Sequence, residues 1–294
     1  MPVKRESPNR QRNTMTGRSI KVGMAQILVE GGRPQANLSR AVEMIRRAAN
    51  GGCRLVVLPE CLDLGWTDPS AREMAQPIPG AHAERLALAA REHRVHVAAG
   101  LVERAGDRLY NAAVLFGPQG EILLHHRKVN ELDIALDLYS VGDRLGVVET
   151  ELGTLGLNVC ADNFGDSLAI GHVLARMGAQ VILSPSAWAV DADHDNALRP
   201  YGQLWRDSYA ELARLYDLTV VGVSNVGRMT GGPWKGRKCI GCSLAVGPGG
   251  EVLAQGPYGA DAEALVEVEI RPRCSIARGT GFADALRARG YRGP

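Results

Sequence analysis

Short apolar runs alternate with amphipathic segments of helical period along the chain, and this alternation occurs twice. In the first half, the apolar stretch 20–27 precedes a helical pattern at 38–49, and the apolar run 55–58 ends at Pro59. Parallel strands need a crossover connection of helical length, so this order predicts strand–helix–strand units. A chain built from such units is expected to be an α/β protein.

The second half repeats this order, and each half ends in a hairpin. Turn sequences rich in Gly and Pro, at 117–120 and 247–250, separate the paired strands. Helices are predicted at 84–93, 168–177 and 204–216, and further strands at 95–102, 111–116, 122–126, 155–159, 181–184, 219–224, 240–246, 251–254 and 264–270. The expected fold is therefore a four-layer α-β-β-α sandwich, in which two mixed sheets pack face to face with helices outside.

A doubly wound sheet of the Rossmann type is the second interpretation of the same pattern. The turn after the first strand, residues 30–34, reads Glu-Gly-Gly-Arg-Pro. It lacks the G-x-G-x-x-G spacing that lets the backbone approach a pyrophosphate, and the sequence contains no P-loop. The four-layer sandwich is the preferred prediction, and no cofactor is expected.

Basic charge is concentrated at the N-terminus. The 294 residues have a formal net charge of +2, and residues 1–18 contain five basic side chains and one acidic side chain. The rest of the chain is therefore slightly acidic, which is not typical of a nucleic-acid-binding surface, and no nucleic-acid partner is predicted. We expect residues 1–18 to form a disordered basic leader, with contact to an anionic surface as the alternative, and residues 19–294 to form one domain.

Residues 1–18 have no apolar core of the kind found in secretory signals, and no run of about 18 apolar residues occurs anywhere. These observations predict a cytoplasmic protein without a membrane partner. Cysteines in such a chain are expected to be free thiols. There are six: Cys53, Cys61, Cys160, Cys239, Cys242 and Cys274.

Three polar residues follow predicted buried strands directly. Glu60 comes after the run that ends at Pro59, Lys128 follows the segment 122–127, and Cys160 follows the strand at 155–159. Ligands of α/β sheets bind beyond the carboxyl ends of the strands, so these three side chains are candidates for one site. Taken singly, each also has a structural explanation: a helix cap, a solvated charge and a small buried hydrophobe, respectively.

Together the three residues lie in segments that resemble the four signature blocks of the nitrilase, or carbon–nitrogen hydrolase, superfamily. The order and spacing of the blocks also match, and the resemblance covers about residues 19–272. The blocks are Leu55-Val56-Val57-Leu58-Pro59-Glu60, His126-Arg127-Lys128, Gly156-Leu157-Asn158-Val159-Cys160-Ala161-Asp162 and Gly178-Ala179-Gln180-Val181-Ile182-Leu183-Ser184-Pro185-Ser186-Ala187-Trp188.

The resemblance implies an amidohydrolase that cleaves a small linear amide or carbamoyl compound through a cysteine thioester. In that family pattern Glu60 matches the general base, Lys128 the lysine and Cys160 the nucleophile. Elementary chemistry agrees, because a thiol is mostly protonated at neutral pH and needs a base and a nearby cation. The Lys128 ammonium and the backbone N–H of Ala161 are expected to hold the oxyanion. A homodimer or larger homo-oligomer is also implied.

The sequence departs from the family pattern at a second glutamate, which most members carry some 8–11 residues after the lysine. Here the +8 position is Leu136. Glu131, three residues after Lys128, and Asp137, nine residues after it, are the available acids. Glu131 is preferred because it keeps the longer side chain, and a solvated loop acid is the alternative for either residue.

Substrate clues come from the segments after the nucleophile and after Trp188. Members that act on nitriles usually have Cys-Trp-Glu where this chain has Cys160-Ala161-Asp162, so an amide is favoured over a nitrile. The arginines that carbamoylases use to bind a carboxylate are replaced here by a segment that includes Asn163 and Phe164. The acidic segment 191–195 favours a neutral or amine-bearing substrate, unless it is only a solvated loop. The predicted pocket residues are Asn163, Phe164, Trp188 and Asp191.

Other constellations give weaker predictions. Cys239 and Cys242 have a C-x-x-C spacing, but no second pair of ligand spacing occurs and they fall on or next to a predicted strand, where their side chains diverge. His125 and His126 alternate on a strand, so only one faces inward. The loop acids and histidine, which follow no fixed ligand pattern, are Asp191, Asp193, His194 and Asp195. No metal site is predicted.

Three rival functions remain from the sequence. The first two are a nitrile-hydrolysing member and an acyl-transferring member of the same superfamily, in which another nucleophile replaces water. The third is a catalytically silent scaffold with the same fold. The intact set of Glu60, Lys128 and Cys160 argues against the scaffold, because a site without turnover is free to lose its thiol.

Overall fold

The computed structural model describes residues 18–273 and 281–292. Residues 1–17 of the predicted leader and Cys274 lie outside the described residues. The strands of the described part are β1 (Ile20–Gln26), β2 (Leu55–Val57), β3 (His96–Ala105), β4 (Arg108–Phe116), β5 (Ile122–Arg127), β6 (Val147–Thr150), β7 (Gly153–Leu157), β8 (Val181–Ser186), β9 (Ala189–Val190), β10 (Thr219–Ser224), β11 (Val226–Arg228), β12 (Lys238–Ile240), β13 (Leu244–Val246), β14 (Val252–Gln255) and β15 (Ala264–Ile270). Its α-helices are α1 (Pro34–Asn50), α2 (Ala71–Met74), α3 (Ala81–His93), α4 (Ala169–Arg176), α5 (Gln203–Tyr216) and α6 (Phe282–Ala288).

Two six-stranded mixed sheets form the centre of the fold. The first has the order β15-β1-β2-β3-β4-β5, and the second has the order β14-β13-β10-β8-β7-β6. In each sheet three parallel strands, β1-β2-β3 or β7-β8-β10, are flanked by antiparallel ones. The two halves of the chain therefore build equivalent sheets, as the repeated pattern of elements predicts.

Side chains along the first sheet alternate between two cores. Val22 and Met24 of β1 pack in the core shared with the second sheet, whereas Ala25 packs with α1 and α3 on the outer face. α4 and α5 contribute to the core of the second sheet from its other side. This alternation follows from the two-residue period of a strand and gives the predicted α-β-β-α order of layers.

The helix α1 begins four residues before its predicted start. Pro34 occupies its first turn, where the missing N–H costs nothing, and Leu38, Ala41 and Ile45 form the buried face. The helical pattern in the sequence becomes visible only at the first buried leucine. This difference explains the later predicted boundary.

The predicted strand 240–246 is wrong, because the structure divides it into β12 and β13. Gly241 and Cys242 between them adopt positive φ angles of 64° and 62°. A Cβ at Gly241 would lie 2.1 Å from the Gln26 side-chain nitrogen. Gln26 in turn accepts hydrogen bonds from the backbone N–H and the hydroxyl of Ser243. The strand therefore breaks where a buried amide from β1 needs polar partners.

A third, small sheet of order β11-β12-β9 and the strand β6 are elements that the sequence pattern did not indicate. Within residues 18–273 and 281–292, no helix is long and apolar enough to cross a membrane. The five described cysteines are free thiols.

Candidate active site

The three predicted catalytic residues lie in the wall of one cavity between the ends of the two sheets. Glu60 and Lys128 follow β2 and β5 of the first sheet, and Cys160 follows β7 of the second. The Lys128 ammonium donates to Glu60 Oε1 at 2.9 Å. The exposed fractions are 1% for Glu60, 1% for Lys128 and 8% for Cys160, so the set is almost fully enclosed.

Backbone contacts hold Glu60 in position from both sheets. Its N–H donates to the carbonyl of Ser186 on β8 at 3.1 Å. On its other side, Gly100 of β3 passes so close that a Cβ there would lie 2.5 Å from the Glu60 Cα. Only a glycine allows this approach at Gly100, so the backbone that carries Glu60 is closely confined.

Asn111 of β4 connects Glu60 with Lys128. Its side-chain amide donates to Glu60 Oε1 at 2.6 Å, and its backbone carbonyl accepts the N–H of Lys128 at 2.8 Å. One oxygen of Glu60 therefore accepts hydrogen bonds from both Asn111 and Lys128. The sequence analysis did not identify Asn111, because its role depends on the register of β4 against its neighbours.

Cys160 begins a short 3₁₀ turn, Cys160–Asn163, and has a left-handed φ of 43°. Such a conformation is strained for a residue with a side chain, and strain of this kind concentrates at functional sites. The N–H of Ala161 lies in the first turn of this 3₁₀ segment, where N–H groups lack intrahelical acceptors. Ala161 also lines the cavity.

Asp162 joins the segment that carries Cys160 to the segment that follows Lys128. One oxygen accepts from Val159 N–H at 2.9 Å and from His126 Nε2 at 2.8 Å. The other oxygen accepts from the N–H groups of Val129 at 3.1 Å and Asn130 at 2.8 Å. The pKa of Asp162 is lowered: burial raises it, but these hydrogen bonds, led by that from His126, outweigh burial. Asp162 is therefore a buried carboxylate that fixes two loops of the site.

Of the two acids considered for the second glutamate, the structure brings Glu131 to the site. Its Oε2 lies 3.7 Å from Lys128 Nζ, and it is 8% exposed. Neither of its carboxylate oxygens has a hydrogen-bond partner in the described part of the chain. Asp137 is exposed, and its backbone carbonyl accepts a hydrogen bond from Arg72.

Burial controls the protonation of the thiol. It raises the pKa of Cys160 well above its ordinary value, and the Glu60 carboxylate raises it further while Lys128 lowers it. The resting side chain is therefore a thiol, and a nearby base has to accept its proton during attack. Burial raises the pKa of Cys160 more than the Lys128 cation lowers it, and the sequence alone does not reveal this balance.

The charges around Lys128 have a different balance. Burial lowers the pKa of Lys128, but the Glu60 and Glu131 carboxylates raise it well above its ordinary value, so the ammonium stays charged. Burial raises the pKa of Glu131 to about 7 against the lowering effect of Lys128. A permanent cation of the cavity wall, Lys128, therefore lies beside a buried carboxyl group, that of Glu131, which titrates near neutral pH.

Two of the four predicted pocket residues, Phe164 and Trp188, line the cavity. The other two, Asn163 and Asp191, are not among the wall residues of the cavity. Asn163 is fully buried, and its amide binds Asn158 and Ser184. The Asp191 side chain is 63% exposed and pairs with Arg237 at 3.0 Å. Polar partners outside the cavity hold both side chains.

The cavity has a volume of about 140 Å³, and six of its fourteen wall residues are aromatic. Clefts with an apolar wall and a few convergent polar groups typically bind small molecules. The sequence analysis did not identify several of its wall residues, because they come from separated loops and from α5. They are Trp66, Leu132, Ala187, Ala189, Tyr201, Leu204, Trp205 and Trp234.

Within residues 18–273 and 281–292, no group of three or more His, Cys, Asp or Glu side chains is placed to hold a metal ion. Cys239 lies on β12, and Cys242 lies in the break that follows it. The metal and redox alternatives of the sequence analysis gain no support from this arrangement.

Sequence comparison relates the chain to proteins that act on carbon–nitrogen bonds. The carbon–nitrogen hydrolase family profile matches residues 21–275. A nitrilase of Pyrococcus abyssi is 32% identical over 257 residues, which is 85% of this chain and 90% of that protein. An omega-amidase of Xenopus tropicalis is 31% identical over 179 residues, and this match spans 58% of the chain and 64% of the omega-amidase.

Solved structures of low sequence identity share the fold. A carbon–nitrogen hydrolase of Helicobacter pylori superposes with a TM-score of 0.78 at 23% identity, covering 93% of this chain and 95% of that chain. An amidase of Nesterenkonia sp. AN1 from the nitrilase superfamily superposes with a TM-score of 0.73 at 22% identity, covering 92% and 94%. These similarities concern the four-layer sandwich as a whole.

Proposed function

The chain belongs to the carbon–nitrogen hydrolase family, and from this premise we propose that it hydrolyses the C–N bond of a small linear amide or carbamoyl compound through a cysteine thioester. The observation that carries the proposal is the buried Lys128–Glu60 pair in the same enclosed cavity as Cys160. A base, a cation and a thiol in one cavity are the groups that acyl transfer to sulfur requires.

In the first step the Cys160 sulfur attacks the carbonyl carbon of the amide, and the Glu60 carboxylate takes the thiol proton. The negative charge moves to the carbonyl oxygen, which the Lys128 ammonium and the Ala161 N–H hold. Loss of one such donor typically raises the barrier by about 3–4 kcal/mol. Because the buried thiol is protonated at rest, proton transfer to Glu60 accompanies the attack.

In the second step the tetrahedral intermediate collapses, the C–N bond breaks, and the proton on Glu60 passes to the departing nitrogen. A primary amide releases ammonia, and the acyl group remains on sulfur as a thioester. Glu60 then takes a proton from water, whose oxygen attacks the thioester. When the C–S bond breaks, the Cys160 sulfur regains this proton and the carboxylic acid is released.

Glu131 is proposed as a positioning residue for Lys128. Its Oε2 lies 3.7 Å from Lys128 Nζ, and Glu60 Oε1 lies 2.9 Å from the same nitrogen. Two carboxylates around one buried ammonium keep it charged and restrict its direction. Glu131 thereby fills the role that the resemblance assigns to a later glutamate.

Hydrolysis of a nitrile is the second candidate, and the match to the Pyrococcus abyssi nitrilase over 90% of that protein favours it. The cysteine would then attack a nitrile carbon and form a thioimidate. The segment Cys160-Ala161-Asp162 favours the amide. Acyl transfer to another nucleophile and a silent scaffold are the remaining alternatives.

Ammonia release from a panel of primary amides, ureides and nitriles tests the proposal. Wild-type protein should release ammonia from at least one amide, and Cys160→Ala should release none. Cys53→Ala is the matched control, because Cys53 is equally buried but lies beside Glu267 outside the cavity. Turnover by Cys160→Ala, or release from nitriles alone, would contradict the amidase assignment.

Mass spectrometry provides a second readout of the same proposal. Protein quenched during turnover should carry the acyl mass on the peptide that contains Cys160. No acyl adduct and no ammonia from any compound would favour the silent scaffold, whereas an acyl adduct that only hydroxylamine or an amine removes would favour acyl transfer.

We further propose a homo-oligomer and a cytoplasmic location, both as implied by the family resemblance and the sequence. Val173 on α4 and Met177, the residue that caps its C-terminus, are four residues apart and are 42% and 46% exposed, which supports an apolar face that pairs with a second copy. Light scattering on the purified chain tests the first proposal, and cell fractionation tests the second.

A further inference from the structure

All four tryptophans of the chain line the cavity that contains Cys160. Trp188 stacks on Trp205 with ring centroids 4.8 Å apart, and Trp66 lies against Trp234, also at 4.8 Å. Aromatic side chains make up only 5% of the sequence, so their collection around one cavity is specific to this place. Such a wall offers flat apolar surfaces for another ring.

The charged side chains of the cavity wall are Glu60 and Lys128, and they pair with each other. Arg237 is not among the wall residues. Its guanidinium carbon lies 4.2 Å from the centroid of the Trp234 ring, and it pairs with Asp191. Among the described residues, the cavity wall therefore has no cation that is free to pair with a substrate carboxylate. Burying an anionic group there would carry an uncompensated desolvation cost.

Aromatic faces also attract cations, so a cationic substrate has to be considered. The Lys128 ammonium already lies 5.9 Å from the Trp66 ring centroid. A second cation in the cavity would be repelled by Lys128. The wall carboxylate, Glu60, already accepts hydrogen bonds from Lys128 and Asn111. The wall therefore favours a neutral ligand over either charged one.

We propose that the preferred substrate is the primary amide of a neutral acid that carries an aromatic ring. The ring lies among the tryptophans, and its carboxamide reaches Cys160. This inference rests on the proposed function, because it assigns the substrate class of the same site. It distinguishes the chain from an amidase that selects the amide of a dicarboxylic acid.

Binding to the Cys160→Ala variant tests the inference without turnover. The ligands are 3-phenylpropanamide, succinamate, 5-aminopentanamide and propanamide, titrated by calorimetry with tryptophan fluorescence as a monitor of the cavity. Burial of a phenyl ring among apolar side chains predicts that 3-phenylpropanamide binds roughly 100-fold more tightly than succinamate. Equal or tighter binding of succinamate, 5-aminopentanamide or propanamide would overturn the inference.

Turnover by the wild-type protein separates this inference from the proposed function. If no amide releases ammonia, the proposed function fails, while the order of binding still decides the inference. If ammonia is released but succinamate has the higher kcat/KM, the function stands and the inference fails. The expected result is the highest kcat/KM for 3-phenylpropanamide.

Substitution of Trp234 tests the aromatic wall directly, because its half-buried ring lies at the rim. Trp234→Ala should lower the ratio of kcat/KM for 3-phenylpropanamide to that for propanamide by roughly 10-fold, since one aromatic contact is lost. Trp234→Phe should restore most of this ratio. An unchanged ratio in Trp234→Ala would contradict the proposed ring position, and the wild-type order of kcat/KM does not depend on how either Trp234 variant folds.

Discussion

The side-chain amide of Asn111 lies 2.6 Å from Glu60 Oε1, while the backbone carbonyl of the same asparagine accepts the N–H of Lys128. One residue of β4 therefore fixes both the proposed base and the proposed oxyanion cation. Glu60 Oε1 accepts hydrogen bonds from both Asn111 and Lys128. Its Oε2 is therefore the oxygen that we expect to accept the proton of the Cys160 thiol.

Replacement of Asn111 should reduce catalysis more than folding. Asn111→Leu keeps the volume but removes the donor to Glu60. We expect kcat to fall by roughly 10–100-fold, because this factor corresponds to the free-energy cost of losing a hydrogen bond to a buried charged group. Steady-state ammonia release measures this change. Asn37→Leu is the matched control, because Asn37 is equally buried and hydrogen-bonded but lies outside the cavity. An equal loss of kcat in both variants would assign the effect to general destabilisation.

Gly100→Ala should displace Glu60. The new Cβ would lie 2.5 Å from the Glu60 Cα and 2.8 Å from the Pro59 carbonyl oxygen, both backbone positions that cannot rotate away. We therefore expect both a lower melting temperature and a loss of kcat. Gly281→Ala is the control, since nothing lies within 4 Å of its added Cβ. Full activity of Gly100→Ala would show that the backbone at Glu60 tolerates the shift.

The three central site residues were predictable because their signals are local. An apolar run that ends in a polar residue marks the end of a buried strand, and this applies to Glu60 and Cys160. Lys128 instead follows β5, which was predicted to be buried but is mostly exposed or half-buried, and the family block His126-Arg127-Lys128 was the signal for it. Parallel strands of a mixed sheet direct such ends toward one edge. The layer order was predictable for a related reason, since the repeated pattern of strands and helices determines which faces have to be buried.

The remaining features depend on contacts between distant segments. Asn111 acts through strand register, Gly241 breaks a strand because Gln26 approaches it, and the tryptophans of the cavity come from separated loops and from α5. Asp191 was predicted in the pocket from its position after Trp188, but its pairing with Arg237 holds it outside. None of these relationships has a period or spacing in the sequence.

Asp162→Asn should destabilise the chain and reduce activity together. The carboxylate accepts four hydrogen bonds from two loops, and an amide at this position would direct N–H groups at some of those donors. We expect the free energy of unfolding to fall by roughly 3 kcal/mol, as for the loss of a buried charged partner. His126→Phe removes one of the four donors and should cost less, about 1 kcal/mol. Urea denaturation measures both, and an equal cost would contradict the role of Asp162 in joining the loops.

The pH dependence of stability tests the environment of Glu131. Burial raises its pKa from 4.5 to about 7 in the folded chain, so the folded state holds this proton where the unfolded chain has released it. The free energy of unfolding contributed by Glu131 is therefore fully present below pH 4.5 and is lost as the pH rises through 7. Glu131→Gln does not titrate and should escape this loss. Its stability relative to wild type should increase between pH 4.5 and 7 and then level off, as measured by urea denaturation across that range. A relative stability that does not change with pH would mean that Glu131 is not held in the buried environment described above.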